Sequence, residues 1–434
     1  MAAPVLPATE SGMPPLIRQV RWWVLALIFC VTVINFVDRQ SLSIVAPLLR
    51  ESLHLSNTDY GMIVSAFLMG MMVGEFPMGS LMDRFGVKFG LTFAVSWWSL
   101  ANGLHALARS MLAFSGLRFW LGTGECGNFS GAMKTVSQWF PPQERAFAIG
   151  VFNGGSMMGA IIAPPLLVAL TLRFGWHAAF LLPSTLGFLW VIAWRYFYHS
   201  PEQHPSVTPA EMAYIQRGRE TEDAVPPTNA SLLRLRQTWA LMGCRLLVGP
   251  VVQFYLFWMP EYLYRQRGLS LKQIGIFAWV PFLFGDAGSI AGGWVAGWLI
   301  RRGYSITAAR RITMGLGSAA CLLSLAVVSS HSIAGAFAGI CFVLMGHMFL
   351  SANMFAAISD VFPNNAVGRV TALTGIAGGL SGMLFPLLTG FLVDHFSYLP
   401  VFCLAAVMPL AGVALLFFSV RSLHQISLDQ EVKA

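Results

Sequence analysis

The chain has 434 residues, 56% of them hydrophobic and only 11% charged, with 42 glycines and 21 methionines. An ordinary soluble domain carries roughly 25% charged residues, so this composition excludes a water-covered globule and fits lipid as the main solvent. The net charge of +8 does not point to nucleic acid either, because the basic residues fall in short loops between apolar runs rather than along one stripe.

In chain order, residues 1–21 show no short apolar stretch followed by a small-residue cleavage site, so they are expected as an N-terminal segment and not a signal peptide. Apolar runs of about 20 residues, long enough to cross a hydrocarbon core of about 30 Å, follow near 22–46, 60–82, 88–108, 111–133, 146–170 and 177–198. The stretch 199–238 then breaks the pattern with Pro201, Pro205, Pro209, Pro226 and Pro227 among Glu, Arg, Gln and Ser, and is expected as an interdomain loop holding a short surface helix around 209–220. Six further runs lie near 239–263, 273–299, 309–329, 333–358, 368–393 and 398–420, and residues 421–434 form a tail. The fold class expected is an all-α membrane protein of twelve spans in two six-helix bundles, 22–198 and 239–420.

Placing both termini in the cytoplasm puts 17 Lys/Arg on that side, against six (Arg50, Arg109, Arg173, Arg265, Arg267, Lys272) on the other. An excess of Lys and Arg in cytoplasmic loops supports that orientation. The six cysteines all lie in apolar segments at spacings that fit neither a zinc site nor a disulfide frame, and are expected to be buried, reduced and inert.

The two halves read as copies. Gly79-Ser-Leu-Met-Asp83-Arg84-Phe-Gly86-Val-Lys88 follows the second span, and Gly293-Trp-Val-Ala-Gly297-Trp-Leu-Ile-Arg301-Arg302-Gly303 ends the eighth. Phe140-Pro141 to Pro165 is echoed by Phe362-Pro363 to Pro386, each with an Arg (Arg145, Arg369) at a loop-to-helix entry. A six-helix unit duplicated in parallel is a known transporter plan, with the substrate site at the midplane between the halves.

On these residues the chain resembles the major facilitator superfamily. Gly79 to Lys88 is similar to the superfamily's loop between helices 2 and 3, and Gln138 to Gly150 resembles the helix 4–5 loop of its anion:cation symporter family. Phe277 to Asp286, and Ser359-Asp-Val-Phe-Pro with Thr374-Gly375, look most like the hexuronate and sugar-acid proton symporters. The resemblance covers essentially the whole chain. It implies a secondary active transporter rather than an enzyme, importing a small organic anion with protons by alternating access in a bacterial inner membrane. The partners implied are the anion, protons and lipid, with no nucleic acid; the chain is expected to act as a monomer without cofactor or metal.

An ionisable side chain inside a membrane span is expensive and is a functional candidate by default. Asp38 and Arg39 sit deep in the first span; Arg118 and Glu125 sit seven residues apart in the fourth, about two turns or 10 Å along one helix face. Burial favours a protonated carboxyl and an adjacent guanidinium favours the ionised one, so an anion that occupies the guanidinium frees the carboxylate to take a proton. The resemblance implies that Asp38 and Glu125 titrate while Arg39 and Arg118 bind the anion or gate. Glu75, where relatives usually have Gln, is a third proton candidate, and Met71 stands where sugar-acid symporters usually have Tyr. Gln253, Tyr255 and Trp258 of the seventh span and His347 and Asn353 of the tenth are candidate substrate contacts. Asp286 is read as structural. Asp83, Arg84, Lys88, Arg145 and Arg301 are assigned to the inward gate.

Other readings are weaker. An organophosphate exchanger would place an Arg in the seventh span symmetric to that of the first, but Arg245 lies near the cytoplasmic end. A drug/proton exporter would favour a Gly-Pro pair in the fifth span, where this chain has Gly159-Ala160. No catalytic Ser/His/Asp set, metal cluster or phosphate-cradling loop stands at a plausible spacing for a membrane enzyme. A non-transporting sensor on the same fold would show no accumulation in vesicles. Within the leading reading, an aromatic acid or dicarboxylate stands beside a hexuronate as the anion.

Overall fold

A computed structural model describes residues 19–217 and 227–426. Residues 1–18, 218–226 and 427–434, which include most of the expected N-terminal segment, the last turn of the expected 209–220 helix and part of the tail, lie outside the described residues.

The first bundle comprises α1 (Val20–Leu53), α2 (Asn57–Leu104), α3 (Met111–Trp139), α4 (Pro142–Phe174) and α5 (Ala178–Phe197). α2 is two passes, 57–85 and 87–104, joined without a loop at Gly86, whose φ of 80° and ψ of 164° are not helical. Only a residue without Cβ takes that backbone cheaply, so the expected second and third spans meet in a kink. Helix starts are fixed locally: Ser56 and Asp59 form a reciprocal capping box at α2, and the Ser110 side chain accepts from the Ala113 amide at α3.

The connecting segment carries α6 (Pro209–Gln216) and α7 (Asn229–Leu232). α6 is bolted to the first bundle. Glu211 is fully buried and accepts from the Arg21 amide at 3.1 Å; the Arg21 guanidinium lies 4.4 Å from the Tyr214 ring; the Tyr214 hydroxyl donates to Glu144 at 2.8 Å.

The second bundle comprises α8 (Arg236–Arg265), α9 (Leu271–Phe277) with α10 (Val280–Arg301), α11 (Ile306–Cys321) with α12 (Leu323–Ser329), α13 (Ile333–Val361), α14 (Asn364–His395) and α15 (Leu399–Ser419). The pairs α9–α10 and α11–α12 each make one broken pass. Among the described residues, ten helical stretches are long and apolar enough to cross a membrane, and the kinked 57–107 stretch crosses twice. α3, whose apolar run is interrupted by Arg118, Glu125 and Lys134, completes the twelve passes. Two of the four central site candidates, Arg118 and Glu125, are among the charges that interrupt it.

Both ends of the helical array and the connecting segment lie on one side, here the linker side; the opposite side is distal. On the distal side the bundles touch backbone to backbone. A methyl group on Gly61 of α2 would stand 2.4 Å from the Pro386 carbonyl of α14, and one on Gly390 would stand 2.4 Å from the Asn57 carbonyl. Toward the linker side the same two helices separate: Gly79, Gly368, Gly375 and Gly379 have open space where a side chain would stand. The two bundles are therefore joined at the distal side and splay apart at the linker side.

Burial of the cysteines is only partly as expected. All six are free, but Cys30 is exposed on α1 and Cys403 half-exposed on α15, because each occupies the outward face of its helix; the other four are buried.

Candidate functional site

Successive residues on a helix point about 100° apart, so Asp38 and Arg39 of α1 serve different neighbours. Asp38 is fully buried and its Oδ1 accepts from Asn102 Nδ2 of α2 at 2.6 Å; Asn102 also donates to the Phe180 carbonyl of α5 at 3.2 Å. Arg39 reaches the other way. Its Nε donates to Glu125 Oε2 of α3 at 3.2 Å, its Nη2 donates to Asn35 at 3.5 Å, and its guanidinium lies 4.7 Å from the Phe36 ring and 5.5 Å from Phe67. Arg118 of α3 donates to the Arg39 carbonyl at 3.5 Å and sits 5.8 Å from the same Phe67 ring. The four expected groups are thus one cluster at mid-depth, not two pairs.

The cluster is incompletely satisfied from within. Arg118 Nε and Nη2, Asp38 Oδ2 and Glu125 Oε1 are buried with no hydrogen-bond partner among the described residues. A buried polar group without a partner is costly and calls for an explanation. Two unused donors on one guanidinium match the fork geometry of a carboxylate. The arrangement can hold an anion and can exchange carboxylates at a guanidinium.

The remaining candidates are more dispersed. Glu75 is exposed on α2, near Cys126 of α3, and makes no ion pair among the described residues. Gln253 of α8 is half-buried beside Gly382 of α14, where a methyl would meet its Cγ at 3.7 Å. Tyr255 is buried with its hydroxyl 3.0 Å from Ser324 of α12, which satisfies it inside the second bundle. Trp258 packs edge-on against Tyr60 of α2 at 5.0 Å, a contact between bundles on the distal side. His347 is buried, with Nε2 3.4 Å from Ser351 Oγ and Nδ1 unpartnered. Asn353 donates to the Gly292 and Phe349 carbonyls at 3.1 and 2.9 Å and accepts from Arg310 at 2.8 Å. Arg310 also holds Asp360 at 2.8 Å, so Asn353 belongs to a network on the linker side of the second bundle. Asp286 is half-buried on α10.

The expected gate residues all lie at the linker side and make their recorded contacts within their own bundle. Asp83 pairs with Lys134 at 2.7 Å; Arg84 lies 5.3 Å from the Phe85 ring; Lys88 is half-buried and its carbonyl accepts from Trp194; Arg145 donates to the Phe140 and Ser137 carbonyls; Arg301 is exposed at the end of α10.

The structure adds a set of residues that the sequence reading missed, all on the distal side. Arg50 of α1 pairs with buried Glu261 of α8; Arg265 holds Glu261 at 3.3 Å and Glu51 at 3.6 Å. Tyr60 donates to the Phe257 carbonyl at 2.6 Å. Asp394 of α14 accepts from the amides of Asn57 and Thr58 at 3.0 and 2.7 Å, capping the start of α2, and from their side chains at 2.7 and 2.6 Å. The available signal was Glu261, a carboxylate inside a membrane span.

Two six-pass bundles, the first with a charged cluster buried at mid-depth, closed on one side and splayed on the other, have the architecture of a membrane transporter. The chain belongs to the Major Facilitator Superfamily, whose family model matches residues 28–386 and 308–431. It is 31% identical over 424 residues to the hexuronate transporter of Escherichia coli (strain K12), covering 96% of this chain and 97% of that protein. It is 30% identical over 398 residues to the probable galactarate/D-glucarate transporter GudP of Bacillus subtilis (strain 168), covering 87% and 86%. Its fold is similar to the inward-facing, unoccupied crystal structure of a bacterial homologue of the human lysosomal transporter Spinster, with a TM-score of 0.74, 18% identity and coverage of 94% and 96%.

Proposed function

We propose that the protein is a proton-coupled symporter that imports a sugar acid across a bacterial inner membrane by alternating access, with both termini in the cytoplasm and its two six-helix halves as the moving bodies. The observation that carries this reading is the Arg39–Glu125 pair at 3.2 Å beside the unused donors of Arg118. The names of its relatives supply the substrate class. The excess of Lys and Arg on the linker side supports a cytoplasmic position for that side, and in this reading the splayed arrangement is inward-facing.

In this mechanism the substrate carboxylate takes the forked donors of Arg39 and Arg118. Glu125 then loses its guanidinium partner in a dry surrounding, where a bare carboxylate is costly, and takes a proton. Asp38, held by Asn102, is the second acceptor. With one proton on Glu125, the substrate and Asp38 carboxylates balance the two guanidinium groups, so the cluster has no uncompensated charge and the bundles can rock around it. On the cytoplasmic side the proton leaves Glu125, the carboxylate recaptures Arg39, and the substrate is displaced. Glu75, nearer the mouth, serves as a relay to water. Asp83, Arg84, Lys88, Arg145 and Arg301 close the cytoplasmic side in the opposite state. Gln253 and His347 face the substrate from the second bundle. Tyr255, Trp258 and Asn353 shape that wall through their neighbours.

The test is uptake of radiolabelled galacturonate into proteoliposomes with and without an imposed inward proton gradient. Accumulation above the external concentration only with the gradient is expected. The same rate and plateau without it would remove proton coupling.

A further inference from the structure

Among the described residues, one half-buried guanidinium of the second bundle differs from those that line the central cluster and the bundle contacts. Arg39, Arg50 and Arg310 each hold a carboxylate, and Arg118 lies in the field of Asp38 and Glu125. Arg245 of α8 is half-buried and has no carboxylate at ion-pairing distance among the described residues. Its guanidinium sits 4.8 Å from the Phe355 ring of α13 and against the bare backbone of Gly378 of α14, where a methyl would meet Nε at 2.9 Å. An unpaired cation at such a place is costly scaffolding.

Its surroundings form a wall rather than a chance position. Arg245, Gly249 and Gln253 are four residues apart on one face of α8. That face lies along Gly378, Ser381 and Gly382 of α14, and a methyl on Gly249 would stand 3.6 Å from both Gly378 Cα and Ser381 Oγ. His347, with its unpartnered Nδ1, is within the field of the Arg245 charge. Gly375 and Gly379, about one turn apart on α14, have open space beside them. The wall thus offers a cation, an imidazole and an amide. The first bundle's cluster is different: two guanidinium groups against two carboxylates, balanced within itself.

From this imbalance we propose that Arg245 is a second carboxylate-binding residue, and that the preferred substrate is a sugar diacid with a carboxylate at each end of its chain. One end takes Arg39 and Arg118 and the other takes Arg245, so a single molecule compensates both walls and ties the two bundles together. A monoacid leaves Arg245 unpaired. The proposal rests on the sugar-acid reading above and selects within it.

The experiment is isothermal titration of purified protein with galactarate, an open six-carbon chain with two carboxylates, and galacturonate, a six-carbon acid with one carboxylate that is mainly a pyranose ring in water. Galactarate is expected to bind at least about tenfold more tightly, the worth of one charge-assisted contact. Arg245→Gln should weaken galactarate about tenfold and leave galacturonate within about twofold, with Arg245→Lys in between. The monomethyl ester of galactarate makes the same comparison on the wild-type protein, independently of whether a variant folds, and should bind like galacturonate. Equal affinity of the wild type for all three ligands, or equal weakening of both acids in Arg245→Gln, overturns the proposal while leaving the sugar-acid reading intact. Failure of the wild type to bind either acid sinks that reading as well.

Discussion

Replacing Glu261 with Gln is expected to loosen the distal closure. In the structure Glu261 joins the bundles by holding Arg50 of α1 while itself anchored in α8, and the side chains of Arg50 and Glu261 are only 9% and 0% exposed. Two unit charges about 4 Å apart at an effective dielectric of about 20 interact by about 4 kcal/mol. The amide can keep one hydrogen bond, Arg50 retains the Leu55 carbonyl at 3.2 Å, and Glu51 still engages Arg265, so roughly half of that should be lost. The loss falls on the closed state alone, because opening hydrates Arg50. A shift of about 2 kcal/mol is a factor of about 30 in the closed-to-open ratio. The assay is the alkylation rate of a single cysteine placed at Asn57 in a cysteine-free background, with reagent added from the distal side. The rate should rise by up to about 30-fold in Glu261→Gln and return with a Glu261→Asp control that still reaches Arg50. An unchanged rate at an unchanged melting temperature would refute the claim that this pair holds the bundles together.

Further outcomes follow from the central cluster and the kink. Glu125→Gln should abolish gradient-driven accumulation while leaving counterflow exchange partly intact, and Asp38→Asn should do the same; equal loss of both activities, measured in one proteoliposome preparation, would make the residues structural. In the proposed mechanism Arg39 serves Glu125 and substrate together; Arg39→Lys keeps the charge but loses the fork, so galacturonate affinity should fall by about tenfold or more, read by titration, and wild-type affinity would take Arg39 out of the site. Gly86→Ala puts a Cβ on a residue at φ 80° and should cost about 1 kcal/mol, seen as a lower melting temperature with substrate affinity unchanged.

Much of this was legible in the chain because the bilayer is so demanding a solvent. Twelve spans follow from run length and hydropathy, and the Asp38, Arg39, Arg118 and Glu125 cluster follows from the rarity of charges inside a span. The sequence could not say which charges would find each other: spacing alone suggested one pair on each helix, whereas Arg39 crosses to Glu125 and Asp38 turns to Asn102. Those partnerships depend on how three helices rotate against one another. Arg50 was read as one more outside charge because its partner, Glu261, is 211 residues away. Asn353 was expected to face ligand, and its engagement with Arg310 depends on α11 passing beside α13.

The crowding of Gly61 on Pro386 and of Gly390 on Asn57 has a mechanical consequence. Two main chains pressed together with no side chain between them meet a hard stop, because peptide groups cannot switch rotamers to yield the last ångström. The distal face should therefore seal at one fixed separation rather than over a soft range. With that edge serving as a fulcrum, the width of the opposite mouth is set by the angle between two rigid bodies, and a small roll about the two glycines is multiplied along the full length of α2 and α14.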